Sequence, residues 1–421
     1  MAIRAAGAVF GFAFNVVLSR ELGVAGTGVV MFYLNSAALT GLVATGGMDV
    51  VGLRELSRHG DDPSRPSVIL GHLVSNALLS ALVLSACGFL VLFLFGGKLT
   101  GSFSLGIDVA CALILFFSAF QKIFSDWLVA FRDFAASQLS FYFINRVASL
   151  GLAVAVIALA GTASAGFFIF AYAAGLLLAV LYAFGRVVAH VSWREIFGKL
   201  SLAMPMIRDG IACTIQNSAY ILLNLSPFLL LATLSNTIAL ALFGISQRLV
   251  AVIVLALTAI SQFAMRDFSL AFGTSDFGAL ARALTTSIRL TFAASIALVL
   301  PLVAFAPFWV LIFGKGFAEA APVLILLSVG ICAQCLGMPF QAALFATNNE
   351  RAARNVTLVC AAVGILSEVL LIPSWGALGA ALGMGIGLAF QSAGHALCVL
   401  RLLPVRLEFA VLRVVPAARE N

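Results

Sequence analysis

The chain has 421 residues, of which 62% are apolar and only 10% charged, and its mean hydropathy is +1.13. A soluble domain carries roughly 25% charged residues, so this composition cannot clothe a water-facing surface, and the chain is too long and too apolar for one soluble core. A cytosolic enzyme, a secreted disulfide scaffold and a disordered protein are excluded, which leaves an integral membrane protein with many spans.

A crossing helix needs about 20 mostly apolar residues. Breaking the chain at its charged and turn-forming clusters predicts twelve spans. The first six are 3–19, 28–53, 67–95, 108–130, 139–160 and 163–188; the second six are 206–232, 236–263, 283–313, 321–345, 353–372 and 376–400. Strands do not compete, because the runs are too long and lack period-two alternation. Arg4 ahead of an apolar stretch has the look of a signal peptide, but no small-residue cleavage site stands out and the next span follows almost at once. A retained first helix is therefore expected. It is only just long enough to cross, which leaves room for a segment upstream of this sequence.

The basic residues test this count, since cytoplasmic loops collect Lys and Arg. With the N-terminus cytoplasmic, the inner side holds eighteen of them, including Arg54, Arg132, Arg186, Arg208, Arg282 and Arg351, and the outer side only Arg20, Lys98 and Lys315. Both termini are thus expected in the cytoplasm. The excess of 24 Lys+Arg over 17 Asp+Glu is a topology signal and not a sign of nucleic acid as a partner. Trp127, Trp193, Trp309 and Trp375 fall near predicted helix ends, where an indole favours the interface.

The polar connections are short, and none could hold a domain outside the membrane. The expected organisation is an N-terminal six-helix lobe over 1–188, a cytoplasmic linker over 189–205, a C-terminal six-helix lobe over 206–400 and a cytoplasmic tail over 401–421 lying on the inner surface. A weak echo suggests that the halves are parallel repeats: Leu18-Ser19-Arg20 ahead of Gly28 recurs 216 residues later as Leu234-Ser235-Asn236 ahead of Gly244. In the last span Gly379, Gly383 and Gly387 share one helix face and would let another helix approach closely. A nucleotide-binding glycine loop is the weaker reading, because no G-x-G-x-x-G occurs there. The seven cysteines lie in apolar runs. Cys332 and Cys335 form a C-x-x-C mid-helix, without a second pair or a nearby His, and read as small buried hydrophobes rather than a redox or metal pair. No cofactor and no metal site are expected.

Ionisable residues inside the spans are where function is sought. A Lys or Arg at a helix centre costs about 2.5–3.5 kcal/mol on insertion scales, so it faces a partner or a wet cavity. Three qualify: Lys122, Arg146 and Arg248. Asp126, one turn beyond Lys122, is placed for an i,i+4 pair. Arg146 and Arg248 have no acid four residues away, and a guanidinium fork matches phosphate oxygens. The uncharged polar residues Asn145, Asn224 and Gln247, with Asn15, Asn35, Gln121, Gln216 and Asn217, are placed to hydrate a cavity or bind sugar hydroxyls, while each also suits an interhelical hydrogen bond. The expected binding set is Arg146, Arg248, Lys122, Asp126, Asn145, Asn224 and Gln247. Glu368 is expected to reach the outer interface, and Asp49 to sit near the inner end of the second span.

Several segments resemble the O-antigen and capsule-type polysaccharide flippases, within the superfamily that also holds the multidrug (MATE) exporters and the peptidoglycan lipid II flippase. In the first half these are Leu18-Ser19-Arg20-Glu21-Leu22-Gly23 and Thr45-Gly46-Gly47-Met48-Asp49, followed by Arg54-Glu55-Leu56. In the second half they are the run from Phe313-Gly314-Lys315-Gly316-Phe317 to Ala321, Asn349-Glu350-Arg351, Leu371-Ile372-Pro373 and the run from Gly376 to Ala381; Arg248, in Gly244-Ile245-Ser246-Gln247-Arg248, also matches a recurrent family position. The resemblance implies an all-α integral membrane fold of 12 transmembrane helices in two six-helix lobes, MATE-like and V-shaped. It implies a cargo of oligosaccharide on an undecaprenyl-pyrophosphate carrier, flipped from the inner to the outer leaflet of the bacterial inner membrane by alternating access for surface polysaccharide biosynthesis. Membrane lipids, and a glycan polymerase or glycosyltransferases of the same pathway, are the expected partners. The sequence departs from the family in its short first helix and in span seven, where many relatives carry an acid and this chain has Asn224 and Ser226 beside Pro227.

Two alternatives are weaker at this stage. A cation-coupled drug or small-molecule exporter of the same fold calls for carboxylates deep in the bundle, and only Asp126 qualifies, beside a cation. A membrane-embedded glycan polymerase or ligase needs a positioned acid/base or metal cluster, whereas His59, His72, His190 and His395 are scattered and the loops are short, so no enzymatic activity is expected.

Overall fold

In hydrocarbon every backbone N–H and C=O must be satisfied within the chain, and a helix does this segment by segment. The computed structural model describes residues 2–59, 65–100, 105–161, 164–190, 201–408 and 413–416, and it is helical almost throughout. The first part of the chain forms α1 (Ala2–Ala44), α2 (Met48–His59), α3 (Arg65–Thr100), α4 (Leu105–Ala130), α5 (Phe134–Gln138), a π-helical turn (Leu139–Ile144), α6 (Asn145–Ala160) and α7 (Ala165–His190). The rest forms α8 (Met204–Leu234), α9 (Thr237–Gly273), α10 (Phe277–Ala304), the short α11 (Ala306–Leu311), a 3-10 turn (Lys315–Phe317), α12 (Ala320–Ala346) and α13 (Glu350–Leu402).

Among the described residues nine helices are long and apolar enough to cross a membrane, against the twelve spans expected. Two causes account for the difference. In α8, a helix of 31 residues, the fully described apolar stretch is only Ile221–Leu234, so this helix is not among the nine. In addition, α1 and α13 each hold two expected spans around one non-helical glycine, Gly23 (φ 64°) and Gly376 (φ 51°). A positive φ costs glycine little, because it has no Cβ to clash. The turn in α13 is seen in its contacts. Added Cβ atoms would meet Leu371 O from Gly379, Glu368 from Gly383 and Gly364 from Gly387, while Gln391 Nε2 donates to Thr357 Oγ1 (3.1 Å). Partners that move apart in step from Gly376 define an antiparallel hairpin. The expected close approach on the Gly379–Gly383–Gly387 face is found, and the approaching helix is the preceding half of the same run.

Neighbours give the same answer for α1. Its first arm runs alongside the π turn and α6 in the same sense, Gly7 against Tyr142 and Gly11 against Arg146. The second arm and the α2 that follows it run alongside α4, Gly41 against Ser118 and Gly52 against Trp127. Since α4 is antiparallel to the segment leading into α6, with Ser125 bonded to Ser137 (2.9 Å) and Gln121 to Ser140 (2.7 Å), the two arms of α1 run oppositely. The first arm extends to the residue before Gly23, beyond the expected 3–19.

The chain divides into two compact units, residues 1–221 with 236–241, and residues 222–235 with 242–421. The linker expected at 189–205 lies largely outside the described residues, and the division falls within α8. The first stretch of α8 belongs with the first unit. Gly210 packs on the Gly46–Gly47 turn, Asp209 pairs with Arg54 (2.6 Å), and Asn76 exchanges two hydrogen bonds with Ala203. Positive-φ positions extend the sequence echo: Asn348 follows Arg132 by 216 residues, and Gly376 follows Gly161 by 215. The turns of the two halves thus recur at the spacing seen in Leu18-Ser19 and Leu234-Ser235.

In the tail, Val405–Glu408 and Arg413–Pro416 pair antiparallel, and Leu403 and Val405 join the core cluster around Phe268, Leu284 and Val399. Trp127 is not at an interface: it is 0% exposed, and its Nε1–H donates to Met48 O (3.1 Å). Trp375 is 56% exposed, and Trp193 lies outside the described residues. All seven cysteines are free thiols.

At one end of the first unit, Asp133 caps α5 by accepting from Ala136 N (3.2 Å) and pairs with Arg186 (2.6 Å). Burial pushes its carboxyl up, but the Arg186 hydrogen bond, the Ala136 N–H, the Arg186 charge and His190 together hold it below its ordinary 3.8. A carboxyl lowered by folding stabilises the protein above its unfolded value, and that stabilisation is lost as pH falls through the folded one. Replacing Asp133 by Ala is expected to cost about 0.5–2 kcal/mol, mostly from the lost cap because exposed ion pairs add little. Thermal unfolding in detergent checks this: the deficit of Asp133→Ala against the parent should shrink on acidification through that range. A deficit constant with pH would show that the ionised carboxylate is not what stabilises the turn.

Candidate functional site

Of the expected binding residues, Arg146, Lys122, Asp126 and Asn145 lie in the first unit, and Arg248, Gln247 and Asn224 in the second.

Arg146 opens α6 directly after the π turn, a type of helix irregularity common at functional sites. Its guanidinium lies against Gly11 of α1, where an added Cβ would collide with Nη1 and meet Cδ at 3.2 Å. The rest of this seam is aromatic and cationic. Arg4 donates from Nε to Gln138 and stacks over the Tyr142 ring (4.9 Å), and Phe10 packs edge-on to Phe143 (5.6 Å). Arg146 is half-buried, and among the described residues no carboxylate lies within ion-pairing distance of it.

The other two cations differ. Lys122 forms the expected ion pair with Asp126, and Asp49 of α2 adds a second carboxylate 3.9 Å away. Lys122 is therefore held between two acids. Arg248 is half-buried on α9 and engaged by a neighbour. Buried acids are more numerous than Asp126 alone, the one deep carboxylate expected. Asp108 is 1% exposed, Asp49 5% and Glu368 0%.

Glu368 corrects a specific expectation, since it does not reach the interface. It lies inside the α13 hairpin against Gly383, and its carboxyl faces Ser226 of α8, with neither group in hydrogen-bond geometry. The acid that span seven lacks at Asn224–Pro227 is thus brought there by another helix. The glycine that Glu368 packs on was visible in the sequence, but the pairing of the two arms was not.

Most uncharged polar candidates serve packing. Asn145, 2% exposed, accepts from Ser149 Oγ (3.0 Å) and fits against Gly175 of α7. Asn15 donates to Gly11 O (2.6 Å), Asn35 to Met31 O (2.7 Å) and Gln121 to Ser140 O. Asn224 is half-buried and partnered, and Gln247 is half-buried. The side chains of Gln216 and Asn217 lie outside the described set.

Hairpinned apolar helices and ionisable groups inside the spans are those of a multi-pass helical membrane protein. Solved structures with this fold include an inward-facing multidrug resistance MATE family transporter of the MOP superfamily (TM-score 0.78, 15% identity, covering 94% of each chain). They also include the lipid II flippase MurJ in an inward closed conformation (TM-score 0.75, 12% identity, 93% of this chain and 85% of that one). A third is a MOP superfamily transporter from Pyrococcus furiosus for which reversed binding-pocket polarity suggests a different function (TM-score 0.62, 15% identity, 96% and 92%). No family profile and no curated protein matches the chain.

Proposed function

We propose that this chain flips a lipid-linked oligosaccharide, carried on undecaprenyl pyrophosphate, from the cytoplasmic to the outer leaflet of a bacterial inner membrane by alternating access. The observation that carries this reading is Arg146, a half-buried guanidinium without an acidic partner among the described residues. Placed inside a membrane bundle, such a group attracts an anion, and its planar fork suits phosphate oxygens. The likeness in fold to a lipid II flippase and the motifs shared with polysaccharide flippases point the same way.

A test reconstitutes the purified chain in vesicles loaded on one leaflet with undecaprenyl-pyrophosphate-linked oligosaccharide and follows its exposure to an external glycosidase. Faster exposure than in protein-free vesicles is expected, and equal rates would reject the reading.

A second reading, export of a cationic small molecule driven by an ion gradient, is favoured by one observation, the buried carboxyl of Glu368. Such coupling needs a carboxylate in the bundle. Under it, the same vesicles would expel a lipophilic cationic dye against an imposed gradient, and Glu368→Gln would abolish the efflux. Under the glycan reading no dye efflux is expected from the parent protein.

A further inference from the structure

Three guanidiniums gather at one end of the α13 hairpin. An added Cβ at Gly394 would meet Val356 Cγ1 at 2.5 Å, His395 Nε2 lies 3.3 Å from Ala353 O, and Ala353 and Val399 share one core cluster. Continued to the ends of the two arms, this pairing sets Arg351 and Arg354 of the first arm beside Arg401 of the second. Arg354 stands one turn before Thr357, which faces the second arm through Gln391, and Arg401 stands two turns beyond Gly394, which faces the first. Both cations therefore lie on the sides that the arms turn to each other. Arg351 and Arg401 are exposed and Arg354 is half-buried.

No neighbour neutralises them. Among the described residues no carboxylate lies within ion-pairing distance of any of the three. Glu350, the one acid at this end of α13, is exposed and pairs with none of them. Arg351 and Arg354 also occupy the first turns of a long helix, where the dipole favours negative charge. Cations so placed lower stability unless an anion from outside the chain offsets them.

Alongside the cations the same arms are apolar and open. Leu358 lies two turns from Arg351 on the same face, Val359 follows it, and Leu397 lies one turn from Arg401; all three are exposed. A strip that is cationic at its rim and apolar beyond it matches an amphiphile carrying a phosphate. The limits of the expected spans, at 353 and 400, put the rim at the depth of lipid headgroups. Inorganic phosphate would use the rim and leave the strip bare.

We propose that Arg351, Arg354 and Arg401 form a binding site for the phosphate headgroup of an anionic phospholipid, whose acyl chains lie along Leu358, Val359 and Leu397. The site belongs to the second unit and does not depend on which cargo is carried, so its failure and that of the glycan reading are separate.

The test uses the purified full chain in detergent, stripped of lipid. The probes are phosphatidylglycerol and phosphatidylcholine with identical chains, and bound lipid is counted by native mass spectrometry. Near a membrane surface each guanidinium adds about fivefold to the attraction of an anionic lipid, so phosphatidylglycerol should bind at least about tenfold more tightly than phosphatidylcholine. Replacing Arg351, Arg354 and Arg401 together by Gln should remove that preference and leave phosphatidylcholine binding as it was. Arg282→Gln, which takes an exposed cation from α10, should keep it. Equal binding of the two lipids by the parent would overturn the proposal and leave the arginines as topology signals alone. A preference that survives the triple substitution would overturn it too, as would one lost equally in Arg282→Gln, the mark of diffuse charge. Loss of the preference to inorganic phosphate, but not to chloride at equal ionic strength, would mark free phosphate as the ligand and reject the lipid. Should the triple variant fail to fold, Arg401→Gln, an exposed change in the last turn, decides alone. It should lower the preference about fivefold, and an unchanged preference would overturn the proposal.

Discussion

Replacing Gly383 by Leu is expected to abolish recovery of folded protein. In lipid there is no hydrophobic drive to hold two apolar helices together; close van der Waals packing does so, and it depends on small residues at the contact. At Gly383 a Cβ would stand 2.6 Å from Glu368 Cγ, 2.7 Å from its N and 2.8 Å from its Cα. Two of these atoms are backbone and cannot swing away, so the arms of α13 would have to separate. Overpacking a core costs about 1–3 kcal/mol even where side chains can adjust. Separation would also remove the cover from Glu368, and a charged group at a helix centre costs about 2.5–3.5 kcal/mol on insertion scales. Together these approach the whole of a typical stability of about 5–15 kcal/mol. Gly385 is the control on the same arm, where an added Cβ meets only Gly330 Cα at an ordinary 3.5 Å, so Gly385→Ala should elute and melt like the parent. A Gly383→Leu protein that elutes as one species and melts within a few degrees of the parent would refute the hairpin geometry.

Much of this fold could be read in the amino acids because the membrane imposes few solutions. Long apolar runs must be helical, and a face of Gly379, Gly383 and Gly387 has few uses besides close helix contact. The count of spans was less legible. Gly23 and Gly376 reverse the chain within a single residue, without the polar cluster that marks a turn in soluble proteins, so two pairs of spans merge. The β-hairpin of the tail was hidden for a similar reason: Val405–Glu408 and Arg413–Pro416 are too short to carry a periodic signal. The site was the hardest part, because charge balance depends on which helices are neighbours. The i,i+4 partner of Lys122 lies on its own helix and could be foreseen. Asp49 reaches it from α2, and Glu368 reaches Ser226 from α13, pairings that no local spacing encodes. Counting charges along the chain therefore missed Asp49 and Glu368 as buried acids, and Arg146 is the cation on which the proposed anion attraction rests.

Arg146→Ala is expected to lower translocation of the lipid-linked glycan by about ten- to a hundredfold at equal protein abundance. A hydrogen bond to a charged group is worth about 1.5–3 kcal/mol, and each 1.4 kcal/mol is a factor of ten. Lysine at this position keeps the charge but not the planar fork, so Arg146→Lys should recover only part of the rate. Loss of packing is the competing explanation, because the Arg146 side chain covers Gly11 of α1. The two separate by their readouts. A packing defect lowers the melting temperature and is as severe for a carrier bearing one phosphate as for one bearing two. An anion-binding defect leaves melting near the parental value and falls hardest on the diphosphate carrier, which offers the guanidinium more oxygens. Raising ionic strength should narrow the gap between parent and Arg146→Ala, since screening weakens the interaction that only the parent makes. Parental translocation by Arg146→Ala at low salt would remove the guanidinium from the transport path and leave the diphosphate without a recognised counter-charge in the first unit.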